Sequence, residues 1–403
     1  MILYAHDLGI GGLEYIRIQI GNLILIDELL VIAPSLAMIA FGWWAFYPVD
    51  RQLREAMLIR RLDEALPIHP IWTRGQYLLS QFRHQMAPIL VPLLILLAWF
   101  ELVQTRMTGP VWGINVQQLL LLLGAGGIFL FTPVMIRHIW QTQPLPQGQM
   151  RDRLTQMCRA HRVGVRELLL WHTFGGMINA AVMGLFAPIR YILLTDALVE
   201  SLPARQVEAV MAHEVAHVRR HHLFWLLAAA VALAAGLQVF WSDVLTLMGS
   251  LSCSGYLKGS PLLIWMGDQK SVVLWATAGS WFAVFGWVSR RFERQADTFA
   301  VQHLSYNGAA NESEQTDPSV SAEAVATMNN ALLAAAELNQ TAPQKRSWRH
   351  GSMAWRRNYL RSLIGRPVHK LSIDRQMFWL KAAVTIMLLY VVAMEYLWYR
   401  TTQ

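Results

Sequence analysis

The stretch RQVEAVMAHEVAHVRRHH, residues 205–222, decides how this chain is interpreted. It is predicted to be helical, with Ser201 as the N-cap and Pro203 in the first turn. His213 and His217 are four residues apart, so both lie on one face of that helix. Two imidazoles on one face can reach a single metal ion.

Glu214 completes the HExxH pattern that is typical of zinc peptidases. It follows His213 directly and projects beside the metal, where its carboxylate can take a proton from a bound water. Zinc lowers the pKa of such a water to about 7. Because the pattern arises by chance on the order of once per hundred sequences of this His and Glu content, the rest of the chain has to support it.

The composition indicates a polytopic membrane protein. Of the 403 residues, 55% are hydrophobic and only 15% are charged, whereas about a quarter of the residues are charged in soluble proteins. A bilayer is crossed by about 20 apolar residues. Runs with few or no charged residues predict six transmembrane helices, at residues 29–49, 87–103, 107–136, 221–242, 271–289 and 377–399. A buried core helix is the alternative for 87–103, which contains Pro88 and Pro92.

The basic residues that give the net charge of +8 are distributed as this topology predicts. Arg and Lys are concentrated after the first, third and fifth predicted spans and are scarce in the intervening segments. By the positive-inside rule the basic segments are cytoplasmic, and both termini lie outside. The charge therefore does not indicate nucleic-acid binding. Cys158 and Cys253 fall on opposite sides of the membrane in this topology, so no disulfide is expected.

A catalytic zinc usually has a third protein ligand. The HExxHxxGxxH arrangement fails, because Leu223 occupies the position of the third histidine. Glu293 and Asp297 lie four apart on a later predicted helix, where Glu293 can be the third ligand and Asp297 can orient a ligating histidine. Alternatively, Glu293 forms an ion pair with Arg290 or Arg294 on a solvated face.

Together these segments resemble the membrane gluzincins of the HtpX and CAAX-prenyl-protease family. VMAHEVAHVRRHH is followed, after two predicted spans, by FERQADTFAVQ. Asn179-Ala180 and RYILLTDAL at residues 190–198 match family elements that precede the catalytic helix. His350 and Arg356, six residues apart, match a His-Pro…Arg element, although Gly351 replaces the proline. The resemblance covers about residues 150–366, and the first 140 residues do not match the plain HtpX pattern.

The resemblance implies roles for particular residues. One zinc ion per chain is bound by His213, His217 and Glu293, and Glu214 acts as general base and then acid. Asp297 matches the acidic residue that follows the third ligand. His350 and Arg356 match residues that stabilise the oxyanion or hold the peptide carbonyl. Asn179 and Ala180 match an edge where substrate adds as an antiparallel strand.

The predicted fold is mainly α: a polytopic membrane protein with about six spans and a cytoplasmic α+β zinc peptidase domain of gluzincin type. Residues 1–143 form an N-terminal membrane region with three spans. Residues 150–366 form the peptidase domain, interrupted by a helix pair at about 223–289. Residues 377–403 contain the last span. Residues 50–86 include a predicted amphipathic surface helix, QLREAMLIRRLDEAL.

We therefore expect a zinc endopeptidase acting at the cytoplasmic membrane face on membrane-associated or misfolded polypeptides, as in quality control. A bacterial inner membrane is expected, with a eukaryotic organelle membrane as the alternative. Polypeptides and the lipid bilayer are the expected partners, and no oligomeric state is indicated. One alternative is a sensor-transducer like the antibiotic-sensing metalloprotease receptors, although no sensing domain follows the last predicted span here. The other is a non-catalytic scaffold, which would not need His213, Glu214, His217 and Glu293 together.

Overall fold

The computed structural model describes residues 15–19, 23–63, 65, 67–106, 116–174, 176–253, 269–309 and 318–402. The chain divides into two compact units. The first consists of Met1–Pro146 and Gly164–Ser201, and the second of Gln147–Val163 and Leu202–Gln403.

The named helices and strands follow in chain order: α1 (Ile26–Asp63), α2 (Arg74–Gln81), α3 (Ala87–Arg106), α4 (Val116–Ile139), β1 (Thr142–Pro144), α5 (Gln149–Ala160), β2 (Glu167–Trp171), β3 (Ala180–Met183), β4 (Tyr191–Thr195), α6 (Asp196–Ser201), α7 (Ala204–Arg219), α8 (His222–Cys253), α9 (Gln269–Ala309), α10 (Ala322–Leu338), α11 (Met353–Arg361) and α12 (Ser372–Thr402). A π-helical turn, Phe82–Met86, joins α2 to α3.

Helix α1 is longer than predicted. The expected separate surface helix within 50–86 is instead a continuation of α1 as far as Asp63. Residues 50–63 are rich in helix-favouring Leu, Arg, Glu and Met. Ion pairs at i,i+4 spacing, Arg51 with Glu55 and Arg54 with Asp50, add to the stability of this extension.

A partly buried ion cluster connects the start of α1 to the end of α3. The Arg17 guanidinium lies 2.5 Å from Asp27, 2.8 Å from Glu28 and 3.3 Å from Glu101. The other carboxylate oxygen of Glu101 accepts a hydrogen bond from the Leu25 backbone N–H. Glu101 is the one charged residue of the apolar run 87–103, and its charge is compensated within the protein.

A four-stranded sheet in the first unit has the order β1-β2-β4-β3. β2 and β4 are parallel, and the outer strands β1 and β3 run antiparallel to their neighbours. Every residue of β4 is buried, as expected for a central strand that reads YILLT. The segment 167–198 thus contains β2, β3 and β4.

The second unit is built around α7 and α9, which pack along each other. The predicted start of α7 is wrong in detail, because Ser201 is the last residue of α6 and Pro203 occupies the N-cap position. α9 is one continuous helix of 41 residues. It includes both the predicted span 271–289 and the predicted helix that carries Glu293 and Asp297.

Within the described residues, five helical segments are long and apolar enough to cross a membrane. They are Ile26–Asp63, Arg74–Arg106, Val116–Ile139, His222–Phe240 and Ser372–Met394. The remaining predicted run, 271–289, forms the first part of α9, and its first side chains lie outside the described residues. The mainly helical polytopic fold with a small sheet is confirmed, with five spans against about six expected.

Candidate metal centre

Three side chains from two helices converge in the second unit. His213 and His217 come from α7 and Glu293 comes from α9. The Nε2 atoms of the two histidines are 3.2 Å apart. Glu293 Oε2 lies 3.6 Å from His213 Nε2, and Glu293 Oε1 lies 3.8 Å from His217 Nε2. All three potential ligand atoms lie within 4.8 Å of one another, so this group could hold a metal ion.

The Nδ1 atom of His213 faces away from Glu293 and towards Asp297. It lies 2.9 Å from Asp297 Oδ1, and Asp297 is fully buried. A carboxylate at Nδ1 keeps the proton on that nitrogen and leaves Nε2 free as a ligand. The spacing of Glu293 and Asp297 along α9 thus places one carboxylate at each nitrogen of His213.

Arg356 from α11 contacts both carboxylates. It donates hydrogen bonds to Asp297 from Nε and from Nη2, and its Nη1 lies 3.4 Å from Glu293 Oε2. Arg356 is only 5% exposed. The Arg356 guanidinium is therefore buried against both carboxylates of the cluster, Asp297 and Glu293.

His350 reaches the same cluster from the loop before α11. Its Nδ1 lies 2.9 Å from Glu293 Oε1, while 48% of its side chain is exposed. The loop is anchored on α9 by Trp348, whose Nε1 donates to the Phe282 carbonyl and whose ring stacks on Phe282. Gly286 permits this approach, because a Cβ there would lie 2.4 Å from the indole.

The charges of the cluster are strongly coupled. Burial disfavours an ionised Glu293, but the His350 hydrogen bond and the Arg356 charge outweigh it and hold its pKa well below the usual value. Burial likewise opposes ionisation of Asp297, yet Arg356 lowers its pKa. Burial opposes protonation of His213, but Asp297 outweighs it and raises the pKa of His213. Burial and the nearby His213 charge lower the pKa of His217 to about 4.

Glu214 differs from the other two carboxylates. Desolvation raises its pKa to about 7, with the charge of Glu293 adding to the effect while His213 and Arg356 oppose it. Its side chain is partly exposed. A carboxyl group with this pKa can take up and release a proton near neutral pH. Glu293 and Asp297 are thus stabilised as anions, whereas Glu214 can exchange a proton.

His222 is a buried residue next to this centre, and its ring stacks on Phe292. It is 2% exposed, and its Nδ1 lies 3.0 Å from Nδ1 of His217. Between them His221 adopts a left-handed backbone conformation, with φ of 56°. That turn places residue 222 back beside His217. The sequence signal available was the histidine five positions after His217.

Asn179 and Ala180 lie in the first unit. Ala180 is the first residue of β3, an edge strand of the sheet. The exposed Asn179 precedes it, and its backbone N–H donates to Oγ1 of Thr195. Their contact with substrate stays a prediction.

The profile of Peptidase family M48 matches residues 146–347, about half of the chain, and the protein belongs to this family. The CAAX prenyl protease 1 homolog of Arabidopsis thaliana is 27% identical over 173 residues, which cover 42% of this chain and 40% of that protein. The protease HtpX homolog of Aeropyrum pernix is 26% identical over 181 residues, covering 43% of this chain and 52% of that protein. The matched segments thus span about half of each relative or less.

Among solved structures, S. mikatae Ste24p is similar with a TM-score of 0.50 and 16% sequence identity. The similarity covers 88% of this chain and 79% of that chain, and it concerns the fold. The predicted resemblance to the HtpX and CAAX-prenyl-protease family is confirmed. Family membership and the apolar helices define the class of this protein: a member of Peptidase family M48 whose helices are long and apolar enough to cross a membrane.

Proposed function

We propose that the protein is a zinc endopeptidase that hydrolyses membrane-associated or misfolded polypeptides at the cytoplasmic face of the membrane. The observation that supports this most directly is the convergence of His213, His217 and Glu293 beside Glu214. Two imidazoles, one carboxylate and a neighbouring carboxyl group of shifted pKa are the set that hydrolytic zinc sites use.

The donor set fits zinc. Ligand atoms bonded tetrahedrally at about 2.0–2.1 Å lie about 3.3 Å apart. The observed separations are close to this value: 3.2 Å between the two Nε2 atoms, 3.6 Å from His213 Nε2 to Glu293 Oε2, and 3.8 Å from His217 Nε2 to Glu293 Oε1. With Glu293 and Asp297 ionised and Arg356 charged, the cluster carries a net negative charge when His213 is neutral, which favours a bound cation. One zinc ion per chain would be held by His213, His217 and Glu293.

Zinc held there would supply Lewis-acid chemistry, polarising a water molecule and the peptide carbonyl. Glu214 accepts the proton of the attacking water, and its pKa of about 7 lets it return that proton to the leaving amine nitrogen. His350 can donate to the carbonyl oxygen as negative charge develops there, since its ring is half exposed. Arg356 holds Asp297 and Glu293 in place rather than facing substrate.

The orientation rests on the charge pattern. The segments that follow the first, third and fifth predicted spans carry most of the Arg and Lys residues, which favours a cytoplasmic location for them. The HExxH helix and Glu293 lie in those segments. A bacterial inner membrane is the proposed compartment.

The test combines zinc content with cleavage. Full-length wild type, Glu214→Gln and Glu293→Ala are purified in detergent, zinc is measured by mass spectrometry, and casein cleavage is followed in parallel. We expect near-stoichiometric zinc in wild type and Glu214→Gln, loss of zinc in Glu293→Ala, and cleavage by wild type alone. Absence of zinc and of cleavage in all three would favour the scaffold instead.

A further inference from the structure

Nδ1 of His217, the ring nitrogen that faces away from His213 and Glu293, begins a chain of hydrogen bonds that leads out of the candidate metal centre. Nε2 of His217 faces His213 and Glu293, so it is the nitrogen available to a metal. A neutral imidazole that ligates through Nε2 carries its proton on Nδ1. That N–H has one neighbour in the described residues, Nδ1 of His222 at 3.0 Å, which must then act as the acceptor.

The acceptor role of His222 sets the direction of the next bonds. Its proton is placed on Nε2, which lies 3.0 Å from Oε1 of Gln295. The amide of Gln295 in turn donates from Nε2 to Oδ1 of Asp374 at 2.6 Å. The chain ends on a carboxylate, which only accepts, so all three bonds can be made at once in one direction. His222 and Gln295 are 2% and 3% exposed.

The end of this chain lies in the last membrane helix. Asp374 is in the first turn of α12, and Arg220, at the end of α7, lies 3.5 Å from it. A second contact joins the same two helices, because Lys381 of α12 donates to the Arg220 carbonyl at 3.0 Å. Helix α7 carries both histidines of the HExxH motif, and its C-terminal end thus contacts α12.

We propose that His222, Gln295 and Asp374 form a relay that fixes the tautomer and orientation of His217 and couples this metal ligand to α12. The inference rests on the proposed function in one respect, that His217 binds zinc. Asp297 Oδ1 lies 2.9 Å from Nδ1 of His213, so each of the two histidines has a polar partner at the ring nitrogen that faces away from the proposed zinc site. His222, Gln295 and Asp374 are positioning residues, and they act on zinc only through His217. Removing such outer partners typically weakens metal affinity by about 10–100-fold.

The test measures zinc affinity of the full-length protein in detergent, by competition with a chromophoric chelator. His222→Ala is expected to raise the zinc dissociation constant about 10–100-fold. His222→Asn places an amide oxygen near the position of the lost Nδ1, so it is expected to restore most of the affinity. Gln295→Leu breaks the relay in its middle and is expected to show a smaller loss. His221→Asn, the same substitution in the exposed neighbour, is the matched control and is expected to bind zinc like wild type.

Two further readouts separate positioning from packing. The visible absorption of the cobalt-loaded protein reports ligand geometry, and it is expected to change in His222→Ala and to return towards wild type in His222→Asn. The unfolding temperature of the metal-free protein reports packing alone. Unchanged zinc affinity in His222→Ala overturns the relay. The relay is also overturned if His222→Asn does not restore the zinc affinity lost in His222→Ala and both variants lower the unfolding temperature of the metal-free protein equally. Failure of the proposed function is distinct, because wild type itself would then lack zinc and cleavage.

Discussion

Arg356 donates two hydrogen bonds to Asp297, from Nε at 2.7 Å and from Nη2 at 2.5 Å. Both side chains are buried, and Asp297 also lies beside Nδ1 of His213. The flat guanidinium matches the two carboxylate oxygens, which is the geometry that lysine cannot reproduce. The pair therefore fixes the carboxylate that lies beside Nδ1 of His213.

Removal of Arg356 is expected to destabilise the second unit strongly. Arg356→Met leaves Asp297 and Glu293 as buried charges without their partner, which costs about 3–5 kcal/mol of unfolding free energy. Arg356→Lys keeps the charge and loses the paired geometry, so an intermediate loss is expected. Urea unfolding of the metal-free protein in detergent measures both.

The control for this series is Arg361→Ala, on the same helix. The Arg361 side chain is exposed, and in the described structure its one hydrogen bond is to Asn358, so its loss is expected to cost less than about 0.5 kcal/mol. Equal stability of Arg356→Met and Arg361→Ala would contradict the structural role given to the buried pair.

Much of the candidate metal centre could be predicted from the sequence, because the informative residues are close to one another in the chain. His213 and His217, and likewise Glu293 and Asp297, lie four residues apart on helices, and that periodicity places each pair on one face. The relay could not be predicted in this way. His222 returns to the centre through the left-handed turn at His221, and its partners Gln295 and Asp374 are distant in the chain. The continuation of α1 to Asp63 was missed because its amphipathic pattern suggested a separate surface helix.

Gly351 is expected to be required in the loop that carries His350, although the matching family element has proline there. Its φ is 74°, a left-handed conformation that the proline ring forbids. Its N–H also donates to the Ser347 carbonyl at 3.0 Å. Gly351→Pro loses both features, so it is expected to displace His350 and lower casein cleavage by at least about tenfold.

The comparison of Gly351→Ala with Gly365→Ala isolates the effect on His350. Both glycines have similar positive φ values, so both alanine variants carry a strain of about 1–2 kcal/mol. A Cβ at Gly351 would lie 3.0 Å from the Trp355 ring, whereas at Gly365 the space is open. Cleavage is expected to fall in Gly351→Ala and to persist in Gly365→Ala, with similar unfolding temperatures. Full casein cleavage by Gly351→Pro would show that activity does not depend on the left-handed backbone conformation at residue 351.

Arg17 is expected to stabilise the first unit by compensating Asp27, Glu28 and Glu101. Arg17→Met leaves three neighbouring carboxylates, one of them fully buried. Because Arg17 is itself partly exposed, the expected loss is below the full cost of breaking a buried pair, at about 2–3 kcal/mol. Thermal unfolding in detergent measures it.

The double variant Arg17→Met with Asp27→Asn removes one of the unpaired charges and is expected to recover part of the loss. Arg51→Met is the control, since Arg51 forms an exposed ion pair with Glu55, and the loss of such a solvent-screened pair is expected to change stability little. Additive losses in the double variant would show that Arg17 and Asp27 do not interact in the folded protein.

His161 is expected to make the second unit sensitive to acid. Its Nε2 lies 2.8 Å from Nδ1 of His303, and Nε2 of His303 lies 3.2 Å from Glu208. Burial, the charge of His303 and that of Arg219 lower the pKa of His161 to about 4. The unfolded chain takes up this proton near pH 6.5. Stability is therefore full above about pH 6.5 and is lost as pH falls towards 4.

Because His161 is only half-buried, the loss is expected to be on the order of 1–2 kcal/mol. His161→Gln removes the titrating group while keeping a polar side chain, so its stability should fall less than that of wild type between pH 6.5 and pH 4.5. His221→Asn, which alters an exposed histidine, should follow the wild-type curve. Urea unfolding at intervals of pH gives the three profiles. If the His161→Gln and wild-type profiles run parallel, protonation of His161 does not contribute to acid unfolding, and other groups must account for it.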